Sequence, residues 1–487
     1  MARTAATIPA GMRVTDHISL GVLSAQFPRE LVDRVLVATE AVNARERALP
    51  AHVMVYYVLA LALYADVATQ EVLRCVVEGA RWLGEPADAP RPTQSAISQA
   101  RLRLGAAPLE ASYRAVVAPV ATAGTPGAWS RGWRVMSLDG TTLDVGDTAA
   151  NAGAFGRPAS ARGVNATGAF PQLRLVGLLE NGTHVITAAQ RGAYGTHERV
   201  LAVDVVAGLT GEMLCLADRG FLSFDLWRTA AATGATLLWR APATGTLPVL
   251  ERYPDGSYRS ERRWNAGCTS ADRRPQAVRV LEYTLEGAPR PVTRYRLVTS
   301  ILEPARAPAA ELAALDHERW EIETAFDELK THLRGAQRVL RSKTPDLVDQ
   351  EAWGFLLTHY ALRARMHEAA LGALPKARDP DTVSFTHTLR VVRRTLPHVA
   401  ALPPSGPAAP PARAAAGRRG DPAGRRQLEP RPRRAPRREA QDEEFPVTPT
   451  PRPTHHASRR DPAYHRAPPS PEALVTTTIT LTGQYCY

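Results

Sequence analysis

Apolar residues recur at helical spacing through the first quarter of the chain. Leu31, Val32, Val35, Leu36 and Val42 fall near one face, and the stretch from Pro50 through Tyr64 reads as a buried helix. A third helix is expected from Thr69 to Leu83, and Pro92-Thr93-Gln94 opens a fourth through Ser98 and Arg103. That last segment has a loose helix-turn-helix character and carries Arg101 and Arg103, although an ordinary packing helix explains the pattern equally well. Near Trp133 the period changes. Val135-Met136-Ser137-Leu138-Asp139 reads as a buried strand ending on a carboxylate. Leu173 to Leu179 and His184 to Ala188 pair across an Asn181-Gly182 turn. Thr196 can cap a helix carrying Leu201, Val205 and Leu209 on one face. Met213 to Ala217 is a second apolar strand ending on a carboxylate, Asp218. A helix from Ser223 to Ala232 follows, stopped by Gly234, and Ala235 to Trp239 is again a strand. This order predicts an α/β core with mixed strand directions.

Between residues 241 and 300 the alternation gives way to turns and two strand-like runs, Val278 to Leu285 and Thr293 to Ile301, which predict a β-rich insertion. Tyr253, Tyr258, Trp264 and Tyr283 alternate there with Arg252, Arg259, Arg262, Arg263, Arg273 and Arg274. Aromatic rings among guanidinium groups suit stacking on nucleic acid; an exposed hairpin with solvated charges suits them as well. Beyond Pro308 a long helix is expected from Ala309 to Arg334, and Thr344-Pro345-Asp346 starts another. After about residue 400 the chain is rich in Pro, Ala and Arg pairs and is expected to be disordered.

Charge and length sharpen this outline. With 487 residues, two or three domains are expected. Lys and Arg number 60 against 48 Asp and Glu, a net charge of +12 that points to a polyanionic partner, most simply nucleic acid. The 4 Cys form no Cys-x-x-Cys pair, so neither a zinc site nor a disulfide framework is indicated, and a reducing cytoplasm fits. The N-terminus lacks the apolar core of a signal peptide, and Val53 to Ala65 is too short for a membrane span.

Two carboxylates at buried strand ends can meet at one point if their strands are neighbours, and such pairs bind hard divalent cations. Taken singly, each Asp is more simply a turn residue. The helix supplies the rest. Arg319, Glu323, Asp327 and Lys330 share a face, whereas Ile322, Ala325, Phe326 and Leu329 form the apolar one. The plain alternative is a solvated face with Arg319–Glu323 and Asp327–Lys330 ion pairs.

Together, Ser137-Leu138-Asp139-Gly140-Thr141, Ala217-Asp218-Arg219-Gly220-Phe221 and Arg319…Glu323…Lys330 resemble the insertion-sequence-four family of DDE transposases. Leu340-Arg341-Ser342-Lys343-Thr344-Pro345 and the helical stretch from Leu20 to Leu104 are also similar to that family, so the likeness spans residues 15 to 370. It implies an RNase H-like mixed-sheet catalytic core over residues 130–375 with the β-rich insertion at 241–300. A flexible N-terminus (1–15) and a helical domain (16–125) able to hold DNA ends precede the core; a disordered tail (400–487) follows it.

The resemblance further implies that Asp139, Asp218 and Glu323 bind two Mg²⁺ ions, for which Mn²⁺ can substitute. One ion activates a water or DNA 3′-hydroxyl and the other stabilises the departing oxygen. Arg319 and Lys330 would hold phosphates, with Arg219 a further DNA contact. Apart from the resemblance, Trp264 is the aromatic of the insertion to test for stacking on an unpaired base, against the plainer reading of Trp264 as hairpin core. The implied partners are double-stranded DNA, as transposon ends and as target, and a second copy of the chain in a synaptic homodimer. The implied setting is a bacterial cytoplasm, at the nucleoid.

Two departures stand out. The family signature's Tyr position is Asp316, whose charge would repel a phosphate, and the tail has the composition of GC-rich DNA read in a shifted frame. Three readings follow: an active cut-and-paste transposase, a catalytically impaired DNA-binding descendant, and a carboxylate-pair hydrolase such as a glycosidase. The last leaves the basic helix face unexplained.

Overall fold

The computed structural model describes residues 20–45, 48–81, 92–158, 169–243, 247–263, 273–284, 294–336, 338–372 and 378–394. Trp264, the N-terminal residues 1–15 and the Arg-rich stretch after residue 400 lie outside them.

The chain opens with helices α1 (Leu20–Gln26), α2 (Arg29–Ala38), α3 (Ala51–Leu63), α4 (Thr69–Arg81), α5 (Gln94–Leu104) and α6 (Ala107–Val116). The sheet region holds β1 (Trp129–Ser130), β2 (Trp133–Asp144), α7 (Ala149–Phe155), β3 (Gln172–Glu180), β4 (Val185–Ala193), α8 (Glu198–Val206), β5 (Met213–Ala217), α9 (Phe224–Ala232) and β6 (Thr236–Ala241). It continues through β7 (Glu251–Arg252), β8 (Tyr258–Arg262), β9 (Gln276–Thr284) and β10 (Arg294–Thr299). Helices α10 (Ala309–Leu315), α11 (Trp320–Asp327), α12 (Pro345–Leu371) and α13 (Phe385–Arg394) complete it.

The strands form one mixed sheet in the order β4-β3-β2-β5-β6-β10-β9-β8-β7, with β1 paired to β2. The antiparallel β4-β3-β2 half followed by the parallel β2-β5-β6 half is the RNase H-like arrangement. Strand alternation explains how this sheet is covered on both sides. Met136, Leu138, Cys215, Ala217, Leu237 and Trp239 pack with α8 and α9 on one face. Val135, Leu214, Leu216, Leu238, Leu281 and Leu297 pack with α10 on the other. A residue one step beyond Leu138, Ala217 or Trp239 therefore points to the α10–α11 side.

The first helices are not set apart from this body. Tyr57, Leu59 and Leu63 of α3 share a hydrophobic cluster with Trp353, Leu357 and Ala361 of α12, and with Ile322 and Phe326 of α11. Arg341 ties the connection by donating to the carbonyl of Leu61 at 2.7 Å and that of Val67 at 2.7 Å. Arg101, which a helix-turn-helix would present to DNA, is buried instead. It donates to Gln350 Oε1 at 2.7 Å, Ser342 Oγ at 3.1 Å and the Leu347 carbonyl at 3.2 Å.

Several expectations need correction. Asp139 does not end its strand: β2 runs on to Asp144, because β3 continues to pair with it after β5 has stopped at Ala217. The stretch after residue 241 is β-rich as expected, and it extends the core sheet, since β10 hydrogen-bonds directly to β6. Of the aromatics read there as stacking platforms, Tyr258 and Tyr283 are buried and so not open to stacking on nucleic acid. The long helix keeps its place but changes pitch, tightening to a 3₁₀ turn at Asp316–Arg319 and widening to a π-helix at Glu328–Leu333. Among the described residues, no helix is long and apolar enough to cross a membrane.

Candidate active site

Parallel pairing of β2 with β5 sets Leu138 opposite Ala217, and pairing of β5 with β6 sets Ala217 opposite Trp239. The next residues, Asp139, Asp218 and Arg240, form a row across three adjacent strands on the face that α11 covers. Asp218 lies close enough to Arg240 to favour its charged form. On α11, Arg319 reaches down to this row. Its Nη1 is 3.4 Å from Asp139 Oδ2 and its Nη2 is 3.5 Å from Glu323 Oε1. One guanidinium thus spans the first and third predicted carboxylates, while strand register brings the second beside the first.

The electrostatics of the row suit a cation. Burial pushes the Asp139 carboxyl up to about 6; the Gly140 N–H and the Arg319 charge pull it down, and Glu323 and Glu198 push it up again. Arg319 is itself buried, its two contacts are long, and its Nε has no partner. A desolvated carboxylate group with so little counter-charge has room for oxygen-seeking divalent cations. Mutual repulsion among the carboxylates is the physical cost that a bound cation would remove.

Lys330 also faces the sheet: its Nζ donates to Thr141 Oγ1 at 3.1 Å, two residues along β2 from Asp139. The alternative Asp327–Lys330 pair is not made, and Asp327 accepts instead from Thr331 Oγ1 at 2.5 Å. The π-helical widening begins at Glu328, after Glu323, and carries Lys330 itself. Arg219 is exposed in the turn after Asp218. Gly140 is needed because a Cβ there would stand 2.6 Å from Cδ of Glu198, on the opposite face of β2. Glu198 is paired with Arg174 Nη1 at 2.8 Å.

The position read as hostile to DNA proves to be internal. Asp316 is fully buried, and its Oδ2 accepts from Arg240 Nε at 2.6 Å and from the Tyr283 hydroxyl at 3.0 Å. Arg240 also stacks over Tyr295, 5.1 Å from the ring centre, and Tyr295 stacks on Tyr283 at 5.2 Å. Burial would favour loss of the Arg240 proton, but the Asp316 carboxylate more than offsets it and holds the guanidinium charged. Arg240, Thr141 and Glu198 were missed in the sequence. Counting by two from Leu238 and Asp139 would have put Arg240 and Thr141 on the right face; nothing local marks Glu198.

Both the helical and the sheet regions match known proteins. Residues 17–114 match the family model described as insertion element 4 transposase N-terminal, and residues 131–360 match the transposase DDE domain. The chain is 28% identical over 377 residues to the transposase InsG of insertion sequence element IS4 from Escherichia coli K12, covering 75% of this chain and 80% of that protein. It is 27% identical over 241 residues to InsZ of the same organism, covering 47% of this chain and 75% of the relative. Among solved structures, a piggyBac transposase synaptic complex with hairpin DNA aligns over 77% of this chain and 79% of that one. Its identity is 10% and its TM-score 0.40, too loose a likeness to carry a residue-level argument.

Proposed function

Because the chain belongs to the insertion-element-4 family of DDE transposases, we propose that Asp139, Asp218 and Glu323 are the carboxylates with which it cuts and rejoins transposon ends. It is a DNA transposase, an enzyme of phosphodiester cleavage and transesterification, and its family generally uses divalent metal. The finer reading is cut-and-paste transposition with two Mg²⁺ ions, for which Mn²⁺ substitutes. The observation that carries it is the Arg319 guanidinium reaching both Asp139 and Glu323, beside a strand register that sets Asp218 next to Asp139.

Bound between these carboxylates, paired divalent cations would lower the pKa of the attacking hydroxyl and offset charge on the leaving oxygen of an in-line displacement. The protein's own groups do the positioning. Arg319 keeps Asp139 and Glu323 aligned and presents its guanidinium charge to a phosphate of the transposon end. Lys330 adds a point charge along the same face. Arg219 contacts the DNA next to Asp218, and Trp264 stacks on an unpaired base.

In this reading residues 130–375 do the chemistry and 16–125 help hold the DNA ends. Two copies form a synaptic dimer in the bacterial cytoplasm, at the nucleoid. The burial of Asp316 removes the main argument for a catalytically impaired descendant.

The test is incubation of the purified chain with DNA carrying the element's own ends, in Mg²⁺, Mn²⁺ or EDTA, beside Asp218→Ala. End cleavage that needs metal and vanishes in the variant supports the assignment. Salt-dependent binding with intact DNA in every lane overturns it in favour of a DNA-binding descendant.

A further inference from the structure

Past α11 the chain builds a second charged feature. The Arg334 N–H donates to the Leu329 carbonyl at 3.2 Å and closes the last turn of the π-helical stretch. Gly335 then takes φ 99, in the left-handed region that favours glycine, and the chain reverses. Arg338 folds back across this turn: a Cβ at Gly335 would stand 2.8 Å from Arg338 Cδ. The Leu340 N–H donates to the Asp144 carbonyl at 2.9 Å, which pins the segment to the end of β2. Asp144 lies beyond Asp139 on β2 by about 16 Å at the rise of an extended strand.

The turn leaves a cleft of about 400 Å³ lined by Arg334, Arg338, Arg341, Glu351, Phe170 and Phe355. Two of its guanidinium groups direct their hydrogen bonds to neutral acceptors. Arg338 Nη1 donates to the Ala65 carbonyl at 3.2 Å, and Arg341 donates to the Val67 and Leu61 carbonyls at 2.7 Å each. Arg334 is 7% exposed. Its Nε and Nη1 are sealed off without a hydrogen-bond partner among the described residues, so Nη2 is what it presents to the cleft. Burial disfavours its charge, and the nearby Asp144 and Glu351 carboxylates do not make up the difference. Both are engaged elsewhere: Asp144 accepts from Gln172 Nε2 at 2.7 Å, and Glu351 accepts from the N–H groups of Arg341 and Ser342 at 3.0 Å each.

We propose that this cleft binds a phosphodiester of the DNA backbone and anchors the strand outside the carboxylate row. Three guanidinium charges there meet two carboxylates, a surplus that matches the single charge of a phosphodiester. A cation with low-dielectric surroundings acts on an anion more strongly than one in water. Phe170, 45% exposed, offers an apolar wall to the deoxyribose. The site needs DNA as the substrate but no role for Asp139, Asp218 or Glu323.

The cleft sits where the first helices meet the sheet region. Leu61 belongs to α3, with Ala65 and Val67 in the turn after it; Phe170 precedes β3, and Glu351 and Phe355 lie on α12. A phosphate bound here would be held by both regions at once, and the strand would be fixed relative to Asp139.

The test measures binding of the full-length chain to duplex DNA carrying the element's own ends, in EDTA, by fluorescence anisotropy over a series of KCl concentrations. Arg334→Met and Arg338→Ala should each bind about fivefold more weakly, and the double variant should lower the slope of log K against log salt by about 1. Arg334→Met should also keep or raise the urea midpoint, because it removes a buried cation with unmet donors; a residue serving stability alone would lower it. Arg338→Ala, at an exposed side chain, decides the matter if Arg334→Met folds poorly. Unchanged affinity and slope in both variants overturn the site. Millimolar inorganic phosphate separates the two sources of the anion. If it raises the melting temperature of the parent but not of Arg334→Met, while the two bind DNA equally, the cleft takes free phosphate and the proposal fails. Cleavage is not read, so neither result bears on the metal-binding carboxylates.

Discussion

Replacing Asp316 by Asn keeps its shape and removes its charge, leaving Arg240 as a largely buried cation without its partner. Asp316 is fully buried and the Arg240 side chain is 16% exposed, so solvent can do little to compensate. Removing one member of a buried pair costs about 3–5 kcal/mol, most of it the penalty for the charge left behind. The lower end, about 3 kcal/mol, is expected here, because the Asn carbonyl can still accept from Arg240 and Asp218 lies nearby. The double variant Arg240→Met/Asp316→Leu removes both charges and should fall within about 1 kcal/mol of the parent, since apolar replacement of a whole buried pair is often neutral. Urea unfolding of metal-free protein, monitored by tryptophan fluorescence, reads both values. DNA binding supplies the second arm. If Asp316 faced DNA, its neutralisation would tighten binding; if it serves Arg240, binding stays the same or weakens. An Asp316→Asn protein with unchanged stability and tighter DNA binding would refute the internal-pair argument.

Three further outcomes follow from the same geometry. Asp139 is raised from 3.8 to about 6 in the folded protein. Its proton is therefore bound more tightly when folded, and metal-free protein should lose stability as pH rises from about 4 through 6; Asp139→Asn should match wild type at pH 4 and exceed it by about 1–3 kcal/mol at pH 8. A stability difference that stays flat across that window, measured in EDTA, counts against a desolvated Asp139. Lys330→Ala should weaken DNA-end binding and lower the slope of log K against log salt by about 1, and an unchanged slope removes Lys330 from the phosphate contacts. Arg101→Met should cost about 2–4 kcal/mol of stability through its lost hydrogen bonds to Gln350, Ser342 and Leu347, with no change in that slope. A fall in slope without loss of stability would restore a DNA-reading role to α5.

What the sequence could disclose depended on whether the information was local. The strand of Met213 to Ala217, the helix of Phe224–Ala232 with its Ser223 cap and the Gly234 stop are written in short-range pattern, and each was legible. Asp139 and Asp218 stood out by motif spacing, and the register of β2 with β5 sets the residues before them opposite each other, even though β2 runs past Asp139. What pairs β10 with β6 is a contact between segments more than fifty residues apart, and no local period reports it. The fate of charged residues is equally non-local. Arg101, Arg279 and Asp316 look like surface charges in sequence, and each is buried because a distant element brings the partner.

Asp316 also bears on which reading of the protein survives. A carboxylate at this point in the signature argues for impairment only if its charge reaches the DNA. Here the charge is absorbed by Arg240, which continues the row begun by Asp139 and Asp218 on the next strand. The pair therefore places a fixed, fully protonated guanidinium beside the second carboxylate while adding no net negative field. Arg319 does the corresponding work from above, between Asp139 and Glu323. Each outer member of the site thus has one cation tethered by the fold, and the space between is left to carboxylate oxygens. Such an arrangement leaves the three carboxylates in excess over the one guanidinium that is not already neutralised, which favours divalent cations.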